Sequence, residues 1–315
     1  MALSGIGRCA VLAGGTGGAK LAAGLQDLLG SGLSVIANSA DDIEVAGVDV
    51  SPDPDLITYW LSGEIDEDRG WGIKGDSFVT FDRLVKLGTP DWFRLSDRDL
   101  ATCLYRKEFV AEGGRRTVAQ AQIARALGAT AAVLPMCEEP VRTRVRTAEG
   151  WRGLQQYLVA EHAQAPVEEI EIEGIADAKP TPEVLEAIAG AEAIVIGPSN
   201  PVISIGPIVS MPALREAMAA SGAPVVAVSP YVAGQVVKGP TDIFMRAVGR
   251  PSTAAGAASL YEGLMDGMVC DPEDPDPPPE AVRVMSCPTL MEGREGRREL
   301  AERTLEFAST LSGHA

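Results

Sequence analysis

Short apolar runs separated by amphipathic stretches restrict this chain more than any other feature. Residues 8–13 form a β-rich run that ends in clustered glycines, and residues 19–29 repeat apolar side chains at helical spacing. LSVIANSA, residues 33–40, reads as a second strand. TAAVLPM around Val133, AIVIGPSNP around Val195 and PVVAVSP around Val226 are further buried-strand candidates, with helical patterns at residues 184–189, 212–220 and 256–264. Uninterrupted apolar strands need cover on both faces, which a parallel sheet between helix layers provides. The expected fold is α/β: a doubly wound, mostly parallel Rossmann-like sheet within a single domain over residues 1–315. Two stretches break the alternation. Residues 53–127 read as a mainly helical insertion or cap, and residues 141–175 as a small β insertion. DPEDPDPPPE, residues 271–280, is an acidic loop because proline fixes φ and removes donors.

Composition removes several function classes. The formal charge of −17 lacks the basic excess of a nucleic-acid binder. Five cysteines with no CxxC spacing give neither a disulfide framework nor a structural zinc site. With two histidines in all, a resident metal is expected to be a hard cation on carboxylates. The N-terminus reads as a first strand rather than a leader, and no apolar run reaches membrane-spanning length. A cytoplasmic protein without membrane or nucleic-acid partners is expected.

The chemistry concentrates at strand ends. VLAGGTGGAK, residues 11–20, places glycines and Lys20 where a strand turns into a helix, a geometry that offers backbone N–H groups to an anion. It lacks the GK[ST] of a P-loop and the third glycine of a dinucleotide fingerprint; a tight connection explains it as well as a phosphate cradle does. NSADD, residues 38–42, ends the next strand, and SPDPD, residues 51–55, follows closely. Such acids suit Mg²⁺ at a phosphate, or helix capping by Ser51 and Asp53. RGWGIKGDSF and WFRLSDRDLATCLYR contribute aromatics and Arg94, Arg98 and Arg106, with Ser96 as a candidate N-cap. IGPSNPVISIGP and VSPYVAGQVVKGP follow later strands on the same side of the sheet, which favours a ligand cleft there.

Taken together, GGTGGAK, NSADD, SPDPDLITYWLSG, RGWGIKGDSF, WFRLSDRDLAT, LPMCEEPVRT, IGPSNPVISIGPI and VSPYVAGQVVKGP resemble the 2-phospho-L-lactate transferases of coenzyme F420 biosynthesis, known as CofD and FbiA. The resemblance runs over almost the whole chain. It implies transfer of a phosphorylated three-carbon acid (phospholactyl, phosphoenolpyruvyl or phosphoglyceryl) from a guanosine diphospho-donor to the ribityl hydroxyl of the deazaflavin precursor FO, releasing GMP. By motif position it implies that Asp55 and Arg94 contact FO, and that Asp41 with Asp55 forms the catalytic pair holding Mg²⁺, with Asp42 as a further metal candidate. Gly14, Gly15, Thr16, Gly17, Gly18 and Lys20, with Pro198, Ser199 and Asn200, are the implied nucleotide and phosphate contacts. A homodimer is expected. This chain departs from the pattern at Cys103, where relatives often carry histidine, and at Ile43-Glu44-Val45, where an aromatic residue is common. Two other readings are a nucleotide-sugar-binding regulator of the YvcK type and a nicotinamide dehydrogenase, the latter suggested by the glycines alone.

Overall fold

The computed structural model describes residues 5–311; His314 lies outside them. Seven strands form the central sheet: β1 (Cys9–Ala13), β2 (Leu33–Ala37), β3 (Ala132–Pro135), β4 (Ala193–Ile196), β5 (Val225–Val228), β6 (Gly267–Cys270) and β7 (Arg283–Ser286). Their spatial order is β7-β6-β5-β4-β1-β2-β3, and every pairing is parallel. This is the doubly wound arrangement the sequence predicts. The order reverses between β1 and β4, the switch point at which such sheets open a crevice beyond their carboxyl ends.

Side chains alternate between two cores because successive residues of a strand point to opposite faces. Val11, Val35, Val133, Val195 and Val226 pack on one face against α1 (Gly15–Leu29), α2 (Pro52–Ser62) and the C-terminal helix Gly293–Leu311. Leu12, Ile36, Leu134, Ile194 and Ile196 pack on the other, against helices Pro182–Ala189, Pro212–Ser221 and Ala254–Leu260. β1, β4, β5 and β6 are buried along their whole length, which accounts for their unbroken apolar sequences.

Smaller units crowd around the carboxyl edge. A hairpin (Ile43–Val45 with Val48–Val50) shares a satellite core with α3 (Val79–Lys86) and α4 (Asp97–Ala111) through Phe81, Leu95, Leu100 and Cys103. Next, α5 (Arg116–Leu127) leads back to β3. An antiparallel sheet of Arg142–Thr147, Gly150–Gly153 and Glu169–Glu173, with the helical turn Gln156–Ala160, packs through Val145 and Tyr157 on Ile203 and Phe244. Among the described residues no single helix is long and apolar enough to cross a membrane.

Sequence expectation and structure differ locally: Ser51, a candidate cap of α2, makes no side-chain capping bond there. Strand β6 escapes a pattern search because its four residues, GMVC, lack the β-branched density of the inner strands. Ser96 precedes α4 but makes no capping bond; Asp76 accepts the Arg98 and Asp99 N–H groups instead. Asp97 in turn accepts the Val79 and Thr80 N–H groups of α3, so the two helices are capped across the loop between them.

Gly24 of α1 lies so close to the C-terminal helix that a Cβ there would overlap the Arg297 carbonyl oxygen. Alanine is favoured over glycine in a helix interior by about 1 kcal/mol, but overpacking a filled contact costs about 1–3 kcal/mol. Gly24→Ala is therefore expected to lower Tm in a circular-dichroism melt, against its helix propensity.

Candidate active site

Helix α1 opens directly from β1. Gly14 is extended and Gly15 has φ +60°, the left-handed region that favours glycine. Close approach fixes the neighbouring glycines: a Cβ on Gly17 would overlap the Pro198 carbonyl, and one on Gly18 would strike Ser199 Oγ and Ala13. The turn after β4 is thus wedged against the first turn of α1. Ser199 Oγ accepts the Gly14 N–H at 3.2 Å. Asn200 caps the following turn by accepting the Val202 and Ile203 N–H groups.

Two acids meet at this turn through one amide. Asn38, at the end of β2, donates its side-chain NH₂ to Asp41 Oδ1 at 3.0 Å and to Asp53 Oδ2 at 3.0 Å. Asp53 Oδ1 accepts the Gly15 N–H at 2.6 Å, so a carboxylate of α2 sits on the N-terminus of α1. Both acids are at least nine-tenths buried. Burial, followed by the Asp53 charge, holds Asp41 well above the usual carboxylate range. Burial raises Asp53 to about 6 against the opposing Gly15 and Asn38 hydrogen bonds. Among the described residues no arginine or lysine forms an ion pair with either acid. Two buried oxygen donors without a counter-charge are what a hard divalent cation requires.

Asp55 stands in a different network. Residues two apart on a helix point to nearly opposite sides, so Asp53 faces α1 while Asp55 faces α4. Asp55 Oδ1 pairs with Arg106, and both side chains are almost fully buried. Arg106 also donates to Gln120 Oε1 at 3.1 Å and to the Asp49 carbonyl. Asp55 Oδ2 is buried with no hydrogen-bond partner among the described residues. Beside it, Asp99 accepts the Tyr59 hydroxyl at 2.8 Å and is raised to about 6 by burial and then by Asp55. Asp42 turns elsewhere, onto Arg116 at 3.0 Å; burial lifts it to about 7 against the pull of Arg116, Arg142 and Arg106.

A cavity of about 350 Å³ opens over these acids. Asp53, Asp55, Asp99 and Arg94 supply its polar wall, and Tyr59, Trp71 and Phe93 its aromatic one. Arg94 lies against Phe78 at 5.1 Å and pairs with Asp82. At the glycine turn, Lys20 Nζ lies 5.6 Å from the centre of the Trp60 ring. Lys238 Nζ donates to the Gly70 carbonyl at 3.2 Å, and Thr16 Oγ1 reaches the same oxygen at 3.5 Å. Partial burial, then the Lys20 charge, lowers the Lys238 pKa. Neither lysine makes an ion pair among the described residues, leaving two cations beside a helix N-terminus.

Of the residues marked in the sequence, the structure gathers Gly14 to Gly18, Lys20 and the Pro198–Asn200 turn at the switch point, with Asp41 close by. Asp55 and Arg94 share the cavity wall. Asp41 is brought together with Asp53 rather than with Asp55, and Asp42 with Arg116. Lys238, the cation that the sequence offers in VSPYVAGQVVKGP, stands beside the glycine turn, whereas Asn38, Asp53 and Arg106 take their places in the site only through the fold; the helical phase of SPDPD was the one signal that separated Asp53 from Asp55.

A parallel sheet carrying a glycine turn, unpaired lysines and clustered carboxylates at its switch point is the frame of an α/β group-transfer enzyme. The chain belongs to the 2-phospho-L-lactate transferase CofD family, whose model matches residues 9–286. A Methanosarcina mazei protein named 2-phospho-L-lactate transferase is 37% identical over 298 residues, covering 93% of this chain and 97% of that protein. A Streptomyces griseus protein named phosphoenolpyruvate transferase is 37% identical over 315 residues, covering 96% and 99%. The crystal structure of a Bacillus halodurans protein superposes with a TM-score of 0.63 over 95% of this chain and 99% of that one; at 18% identity the likeness concerns the fold alone.

The raised acids give a signed pH dependence. Asp42, Asp53 and Asp99 keep protons in the folded state up to about 7, 6 and 6, whereas an unfolded aspartate releases them near about 3.9. Between those limits the native state binds more protons than the unfolded one, so stability falls as pH rises. Metal-free protein is expected to lose Tm steadily from about pH 4 to about pH 7, and Asp42→Asn to flatten the upper part of that decline in calorimetric scans.

Proposed function

We propose that this chain transfers a phosphorylated three-carbon acid from a guanosine diphospho-donor to the ribityl hydroxyl of FO, releasing GMP, in coenzyme F420 biosynthesis. The observation that carries this reading is the continuity of two compartments. An aromatic cavity bearing Asp55 and Arg94 meets a glycine turn flanked by Lys20 and Lys238, and Asp53 belongs to both. A flat ring system suits the Trp71 and Phe93 wall, and a diphosphate suits the helix N-terminus with its lysines.

Asp41 and Asp53 are the residues that would hold Mg²⁺, with the free oxygen of Asp55 nearby on the cavity wall; their all-oxygen, uncompensated donor set fits that ion. Bound there, it supplies neutralisation of phosphate charge. The chain's own groups do the rest. Asp55, anchored through one oxygen by Arg106, presents the other to the acceptor hydroxyl as orienting group and proton acceptor. Arg94 holds the acceptor, while Lys20 and Lys238 stabilise negative charge that spreads over the donor phosphates during in-line displacement.

Pure protein incubated with FO, Mg²⁺ and each guanosine diphospho-donor in turn is expected to yield one preferred product by mass, alongside GMP. No product with any donor, together with tight nucleotide-sugar binding and no FO binding, would instead favour the regulatory reading. Asp41→Asn and Asp53→Asn are each expected to lower kcat by roughly 10²-fold or more, on the scale of other lost electrostatic stabilisers. Turnover in either variant close to that of the unaltered protein would remove that residue from the metal site.

A further inference from the structure

We propose that Asp55, Asp99 and Cys103 form a second cation site that takes a thiophilic divalent ion such as Zn²⁺, and that its occupation blocks the acceptor side of the cavity. One ligand atom from each residue lies within 4.8 Å of the other two. Asp55 Oδ2 is buried without a partner among the described residues, an unmet acceptor on the cavity wall that points to a missing ligand. Its companion oxygen is already fixed by Arg106, and Asp99 Oδ1 by Tyr59, so the carboxylates cannot swing out to water without breaking those bonds.

Such an ion closes the local charge without a proton on either carboxylate. Two carboxylates and the Arg106 guanidinium leave one negative charge in a buried setting. A divalent cation that displaces the Cys103 proton to solvent brings two carboxylates, one thiolate, one guanidinium and the ion to zero. Cysteine sulfur beside oxygen donors selects zinc over magnesium, which prefers oxygen alone. Zinc bonds of about 2.0–2.3 Å require the three ligand atoms to draw in by about an ångström. Both aspartates line the cavity, which gives the ion a path in and leaves a fourth position open to water.

The blocking half of this proposal rests on the transferase reading, because Asp55 is the group assigned there to the acceptor hydroxyl; the binding half does not. Cd²⁺ is the probe. Titration of metal-free protein is expected to develop a thiolate-to-metal ultraviolet absorption band at one equivalent, and Zn²⁺ to compete it away. The band is expected to disappear in Cys103→Ser and to persist in Cys287→Ser. Asp99→Asn, which keeps the thiol, is expected to weaken Cd²⁺ binding by at least roughly 10-fold, the scale on which even outer partners of metal ligands act. No band in the unaltered protein, or a band unchanged in folded Cys103→Ser, would overturn the site. With the band established, failure of Zn²⁺ to inhibit transfer in the presence of Mg²⁺ would overturn the block alone. The absorbance arm contains neither FO nor donor, so failure of the transferase reading leaves it untouched.

Discussion

One side-chain amide organises the carboxyl edge of this sheet. Asn38 donates its side-chain NH₂ to Asp41, Asp53 and the Ile203 carbonyl, while its own oxygen accepts the Ala40 N–H. Asp53 then carries the connection to the backbone of Gly15. The bonds run from β2 to α2 to α1 and tie all three at the edge where the glycine turn opens. Because the amide is neutral, it positions two acids without supplying a counter-charge. An arginine in its place would have satisfied the acids and removed their affinity for a cation.

Charge is sorted by depth around that point. The arginines, with their planar multidentate heads, stand behind the acids: Arg106 on Asp55 and Arg116 on Asp42. The lysines stand in front, beside the glycine turn, without carboxylate partners among the described residues. Removing one partner from a pair as buried as Asp55 and Arg106 typically costs about 3–5 kcal/mol, so that pair is structural ballast as well as part of the cavity wall. The front lysines are held by an aromatic face and a backbone carbonyl, contacts that leave their charge available.

Much of the architecture was legible because a parallel sheet announces itself. Strands buried on both faces must be apolar throughout, and runs such as CAVLA and AIVI are. The glycine turn and the acids of NSADD could be placed at strand ends for the same reason. The partner of Asp41 was not legible. SPDPD offers two acids two residues apart, and helical geometry sends them to opposite sides, so the choice depends on the rotation of α2 against its neighbours. Trp60 and Tyr59 report that rotation: Trp60, seven residues after Asp53, meets Lys20 of α1, and Tyr59, four after Asp55, meets Asp99 of α4. Arg106 was equally hidden, since nothing in a run of charged residues marks the one that will be enclosed.

The carbonyl oxygen of Gly70 serves two donors from segments far apart in sequence, Thr16 on α1 and Lys238 beyond β5. It therefore fastens three otherwise separate stretches of chain across the mouth of the glycine turn. An anion seated between the lysines competes with that oxygen for the Lys238 ammonium. Anion binding and the intact strap are therefore reciprocally linked, each weakening the other by the same factor at equilibrium.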